Sequence, residues 1–225
     1  MARDAARAEP TPGKEGRNYC LVENLAGLLW VANLAAVELH PLLSCAPDLA
    51  EPTSVIFDLD PGPPAGLVDA AAVALEVKRA LAAFELSSVV KTSGSAGLHV
   101  HVPLNTPARY DETRSFARSV ATVLARRHPD RVVARMDRAL RSGKVFVDWG
   151  QNHANKSTCG VYSLRAQPIP VVSAPLAWDE VEAAVGAGDE DRLVFDAQHV
   201  LERLACGGDL YAPLLELRQE LPGRR

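Results

Sequence analysis

The sequence predicts an α/β (α+β) fold: a mixed or antiparallel sheet that carries acidic residues on one face, helices packed behind it, and an acidic, helical C-terminal region. Three features predict it. Short apolar runs with period-two alternation at residues 55–60, 87–92, 98–104 and 144–149 read as strands. Between them, residues 68–84 and 111–128 place apolar side chains at helical spacing. Within the strands, polar residues recur at alternate positions, Asp58 with Asp60 and His99 with His101, so each pair leaves a single sheet face.

In chain order, Asn24 is positioned to cap a helix running to about residue 39, with Leu25, Leu28, Leu29, Ala32 and Ala36 on its inner stripe. Glu38-Leu39-His40-Pro41 ends it, because proline disfavours helical angles in the residue before it. The strand at 55–60 stops at Pro61-Gly62. The helix at 68–84 turns Ala71, Ala72, Leu75 and Leu81 inward, and the strand at 87–92 leads through Ser93-Gly94-Ser95-Ala96-Gly97 to the strand at 98–104. Asp111 is read as the cap of an amphipathic helix to about 128, with Phe116, Val120 and Leu124 buried. A short helical piece at 135–140 and the strand at 144–149 follow, then a polar loop from Gln151-Asn152 to Ser157. Another strand is expected at 158–163, ending at Arg165. Ser173 is expected to cap a helix with Pro175 in its first turn and with Trp178 and Val181 inward. Asp196 caps 197–206, with Gly207-Gly208 as its stop, and a last helix at 210–221 carries Leu214, Leu217 and Leu221.

The 225 residues fit one domain, read as a disordered tail at 1–17 and a core at 18–225. With 48% hydrophobic and 23% charged residues, a soluble globular protein is expected. The longest apolar stretch, 25–39, is too short for a bilayer and is interrupted by Asn33 and Glu38, so no membrane partner is expected. Cys20, Cys45, Cys159 and Cys206 form no C-x-x-C pair, which fits a reduced, cytoplasmic protein without a zinc knuckle. The net charge of −4 hides an asymmetry. From Arg109 to Lys144 there are ten basic residues against four acids, a net +6, whereas from Asp179 onward eleven acids face five arginines, a net −6. The basic segment is either a phosphate-binding face or a solvated helix surface.

Two carboxylates one residue apart at a strand end, Asp58 and Asp60, lie roughly 6.5–7 Å apart along the backbone. They are either hard oxygen ligands for Mg²⁺ or Mn²⁺ or a strand running into an acidic turn. Asp148 is a natural third carboxylate, since an acid in an apolar strand is costly unless paired or metal-bound. The small-residue loop Ser93–Gly97 beside His99 and His101 is compatible with an anion approaching its N–H groups, and equally with a plain hairpin.

Taken together, F-D-L-D-P-G at 57–62, K-T-S-G-S-A-G-L-H-V-H-V-P-L at 91–104, V-F-V-D-W-G-Q-N at 145–152, Y-S-L-R-A at 162–166 and V-S-A-P-L-A-W-D-E-V at 172–181 form an ordered set. From about Tyr19 to Leu221 the chain resembles the polymerase domain of bacterial ligase D, in the archaeo-eukaryotic primase superfamily. That resemblance implies a primase-polymerase-like core with Asp58, Asp60 and Asp148 as ligands of two Mn²⁺ or Mg²⁺ ions. It implies that Ser93, Gly94, His99 and Arg165 hold an incoming nucleoside triphosphate, and that His40 and Gln151 line the nucleotide and its ribose. The implied reaction is extension of a DNA 3′ end in non-homologous end joining, favouring ribonucleotides, with a ligase and a Ku-like end-binding protein as partners.

The sequence departs from the family pattern in two respects. Ala96 replaces the lysine of S-G-x-K-G, so one phosphate contact is missing. The family's N-terminal lobe, with its F-F-Q-K-H-type segment and DNA-holding lysines, has no counterpart here. That leaves the Arg109–Lys144 segment as the DNA-binding candidate and raises the alternative of a weak or inactive nucleotide- or DNA-binding subunit completed by a separate polypeptide. A phosphohydrolase of the haloacid dehalogenase type also begins with D-x-D, but Pro61, the histidines and Arg165 fit it poorly.

Overall fold

The centre of the sheet is β1 (Ser54–Pro61), whose alternating residues serve two purposes. Val55, Phe57 and Leu59 are fully buried against the helices, while Asp58 and Asp60 leave the opposite face. The computed structural model describes residues 19–223, so the tail expected at 1–17 lies outside the described residues. β1 pairs antiparallel with β3 (Leu98–Pro103) on one side and with β5 (Val145–Asp148) on the other. β2 (Val89–Thr92) adds outside β3, and the two-residue β4 (Val132–Val133) adds parallel to β5. With β8 (Pro175–Leu176) beyond β2, the strand order is β4-β5-β1-β3-β2-β8, a mixed sheet.

Two helices cover one face. α2 (Leu67–Ala82) and α3 (Tyr110–Arg127) turn Ala71, Ala74, Val77 and Leu81, and Val120 and Leu124, onto Val100, Val102, Val145 and Val147. Apolar burial on this scale is the main stabilising term, at about 25 cal/mol per Å² removed from water. No described helix is long and apolar enough to cross a membrane.

Several local expectations need correction. α1 (Leu25–Asn33) is capped by the Asn24 side chain but ends well before residue 39, because Ala35 takes a left-handed conformation (φ 59°) and the chain reverses through Ala36 N–H to Val31 O. Its expected inner stripe is also reversed: Leu25, Leu28 and Leu29 are exposed and Val31 is the buried residue. Asp111 does not cap α3. Glu112 accepts the Arg109 N–H at 2.7 Å, and Asp111 pairs with the Arg109 side chain. The helical piece near 135–140 is a 3₁₀ turn, Arg138–Leu140.

Residues 158–163 form no strand, because their N–H groups bond to the 39–41 segment, Thr158 to Pro41 O and Gly160 to Leu39 O. The strand lies one step later, β6 (Leu164–Arg165), paired with β7 (Val171–Val172). Ser173 caps no helix, and Pro175 stands in edge strand β8, where its missing N–H costs no ladder bond. α4 (Trp178–Ala187) starts after it, with Glu180 accepting the Ala177 N–H at 2.7 Å. α5 (Ala197–Gly207) follows its Asp196 cap as expected. The expected last helix shrinks to α6 (Pro213–Glu216), since Asn105 donates to Leu214 O and Leu217 O and the Gln219 amide bonds to Ser87 and Pro103.

Candidate active site

Strand register builds the site. Asp148 lies opposite Asp58, Asp58 opposite His99, and His99 opposite Lys91, so four side chains from β5, β1, β3 and β2 stand in one cross-strand row. Directly opposed residues bring their Cβ atoms to about 4.5–5.5 Å. Asp60 stands at the same end of β1, two residues on, and is exposed. The row therefore runs from carboxylates through an imidazole to an ammonium across the polar face.

His99 Nε2 lies 3.3 Å from Asp58 Oδ1. The Gln151 amide bridges the two acids of the row, donating to Asp58 Oδ2 at 3.4 Å and to Asp148 Oδ2 at 3.3 Å. Asp148 also accepts the Gly150 N–H at 2.8 Å, which sets the 3₁₀ turn Trp149–Gln151 immediately after β5. Asn152 fixes that turn to the sheet. It is fully buried, accepts the Ile56 N–H at 2.9 Å and donates to Ile56 O at 2.7 Å, replacing a strand neighbour where β5 ends.

Burial raises the Asp58 carboxyl to about 6, although Lys91 and the Gln151 hydrogen bond pull the other way. Burial and then the charges of Asp58 and Asp148 raise Asp60 to about 6, and burial is also the leading cause of the upward shift of Asp148. Burial lowers His99 well below the usual histidine range, helped by Lys91 and Arg165, so the ring is neutral. Lys91, 1% exposed, is lowered to about 8 by burial.

The second half of the site is the loop after β2. Ser93 Oγ accepts from Ser95 N and Gly97 N, both at 3.2 Å, so two of the loop's N–H groups are satisfied within the loop. Gly94 has φ +68°, and a Cβ there would collide with Arg165 Cγ. Loop and arginine are thus in contact. Arg165 Nε lies 3.5 Å from Glu38 Oε1, and Glu38 also accepts the Ala166 N–H at 2.7 Å. His40 is brought to the same corner, 3.4 Å from Glu38 Oε2.

All the expected site residues therefore fall into two adjoining groups, the row with Gln151 and the loop with Arg165, Glu38 and His40. The basic segment does not form one face. Lys144 Nζ turns to Pro129 O, Arg141 lies 3.7 Å over the Phe146 ring, and Arg114 and Arg118 lie over Trp149. Sequence reasoning missed Lys91, Glu38, Asn152 and Ser173 as members of the site. Parity could have found Lys91, which shares its motif with Ser93, but the others depend on contacts across more than eighty residues.

Among the described residues, no three His, Cys, Asp or Glu side chains stand close enough as placed to enclose one metal ion. The donor set nevertheless suits a hard divalent cation: after burial, Asp58 and Asp148 raise Asp60 and Asp58 raises Asp148, and a cation would relieve that repulsion.

An α/β domain with carboxylates from two neighbouring strands of an antiparallel core, next to an arginine-backed glycine loop, belongs to the nucleotide-handling class. A sequence profile of the family described as LigD, primase-polymerase domain, matches residues 2–211. The chain is 41% identical over 199 residues to the multifunctional non-homologous end joining protein LigD of Mycolicibacterium smegmatis, covering 87% of this chain and 25% of that protein. It is 37% identical over 205 residues to the multifunctional non-homologous end joining DNA repair protein LigD of Mycobacterium tuberculosis, covering 85% and 26%. The solved polymerase domain of Mycobacterium tuberculosis ligase D in complex with DNA superposes with a TM-score of 0.81 at 34% identity, covering 93% of this chain and 74% of that one. The chain belongs to the LigD primase-polymerase domain family. It spans about a quarter of the length of the curated relatives it matches. A polymerase domain of this kind implies dependence on divalent metal.

Proposed function

We infer that this domain is a nucleotidyltransferase that adds nucleotides, ribonucleotides by preference, to a DNA 3′ end in end-joining repair. The observation that carries this reading is the register that sets Asp148, Asp58, His99 and Lys91 in one row, with Asp60 at the same strand end. Asp58, Asp60 and Asp148 would hold two divalent ions, Mn²⁺ or Mg²⁺, which when bound supply charge neutralisation at the attacking and leaving oxygens. His99, kept neutral by burial, would contact the triphosphate without adding a charge beside them. Arg165, fixed by Glu38 and the Gly94 contact, neutralises the triphosphate, with Ser93 and Gly94 shaping its seat. His40 and Gln151 would line the nucleotide and its ribose, where a polar side chain can sense a 2′-OH. The primer 3′-oxygen attacks the α-phosphorus as the bond to pyrophosphate breaks, so the protein's work is placement and charge stabilisation.

DNA, a ligase and a Ku-like end-binding protein are the proposed partners. The test is primer extension with Mn²⁺ on a primer-template, by the wild type and by Asp148→Ala. Extension abolished in the variant is expected, and equal extension by both proteins refutes the role of Asp148. Nucleotide binding without extension would establish a binding subunit instead.

A further inference from the structure

Arg114 and Arg118 stand one turn apart on α3, and their guanidinium carbons lie 5.2 and 5.3 Å from the centroid of the same Trp149 ring. The indole is fixed from behind, its Nε1 donating to Ala134 O at 2.9 Å. Like charges four residues apart repel and ordinarily recruit an acid. The acids at hand are engaged elsewhere: Asp111 pairs with Arg109 at 3.3 Å, and Glu112 accepts the Arg109 N–H. Among the described residues, neither Arg114 nor Arg118 is ion-paired with a carboxylate. Both are exposed. Beside them opens a hollow of about 520 Å³, lined also by Tyr110, Asn152 and His153.

Position adds to charge. Trp149 directly follows Asp148, and Asn152, which lines the hollow, anchors the same turn to β1. The hollow therefore lies at the end of β5 on the side of the sheet that α3 covers, with Asp148 turned to the other side. A pair of guanidinia resting over one indole, without a carboxylate partner among the described residues, matches a chain of phosphodiesters, which guanidinium forks bind without regard to base sequence.

We propose that Arg114, Arg118 and Trp149 form a docking surface for the phosphate backbone of a DNA strand that passes round the end of β5 toward the acidic row. The surface rests on the polymerase reading for the course of that strand, but its binding is read without catalysis.

The experiment measures anisotropy of a labelled single-stranded DNA with the full chain, wild type and Arg114→Gln/Arg118→Gln, across a salt series. The double variant is expected to bind at least tenfold more weakly. Its log–log salt slope is expected to be shallower by about 1.4, since each phosphate left unneutralised on a single strand removes about 0.7 from the slope. Nucleoside triphosphate binding and the thermal midpoint stay at wild-type values, and Arg114→Lys/Arg118→Lys recovers most of the slope. Unchanged affinity and slope in the glutamine variant overturn the proposal. So does an RNA of the same sequence whose binding falls with the variant while DNA binding does not. If Asp148→Ala leaves extension intact but the arginine pair governs DNA binding, the polymerase reading fails and the surface stands; the reverse result separates them the other way.

Discussion

The buried ammonium of Lys91 donates to the Ser173 hydroxyl at 2.6 Å, and that hydroxyl donates on to Thr92 O at 2.7 Å. This short relay ties the strand that leads into the Ser93–Gly97 loop to the segment that follows Arg165. The two segments proposed to seat the triphosphate, far apart in sequence, are held together by one buried cation.

Lys91→Met keeps the length and burial of the side chain but removes its donors. Removing one member of a buried polar cluster leaves Ser173 Oγ and Asp58 without their cation, so a loss of stability of about 1–3 kcal/mol is expected. Nucleotide affinity is expected to fall roughly tenfold, about 1.4 kcal/mol. Urea melts and nucleotide titration on the same samples check both, and an unchanged affinity would show that the relay does not govern the seat.

The acids give a pH signature. Asp58 and Asp60 are raised to about 6, above their ordinary range near 4. Their protonated forms are the ones the folded state favours, so this contribution is complete below pH about 4 and is lost as pH rises through about 6. In chelator, the urea midpoint of the wild type relative to that of Asp60→Asn is expected to fall between pH 4 and 7. Mn²⁺ is expected to restore it at pH 7.5 and to have little effect at pH 4.5, where the ligands are protonated.

Gly94→Ala places a methyl group against Arg165 in a backbone region that L-residues rarely occupy. A strain cost of about 1–3 kcal/mol is expected. Nucleotide affinity should fall as well, because Arg165 must move. Thermal melts together with nucleotide titration distinguish this from a purely local backbone effect, in which affinity would hold.

Asn152→Ala leaves the Ile56 N–H and C=O without the side chain that completes them. A loss of about 1–3 kcal/mol per unsatisfied group is the expected scale. Primer extension is expected to fall further than stability alone accounts for, because the turn that positions Asp148 loosens. Extension rates measured well below the melting temperature check this.

Much of the sheet is visible in the letters because alternation is local. Asp58, Asp60, His99, His101 and Asp148 all fall on the polar parity of their strands, and each of these strands forms within a few residues of its expected bounds. The failures share a cause. Residues 25–39 and 210–221 carry helical spacing, yet Ala35 reverses the first, and Asn105 and Gln219 hold the second extended. Ser173 looks like a cap because Pro175 follows it, but pairing of Pro175 with Lys91 across the sheet takes precedence. Hydrogen bonds that reach across more than eighty residues leave no periodic trace in sequence.

The row from Asp148 to Lys91 has one member on each of four strands, so it exists only in a single register. Sliding β1 by one residue would turn Phe57 and Leu59 to the polar side and force Asp58 and Asp60 among the valines beneath α2 and α3. A molecule that pairs its strands wrongly therefore loses the row altogether rather than keeping a distorted version of it.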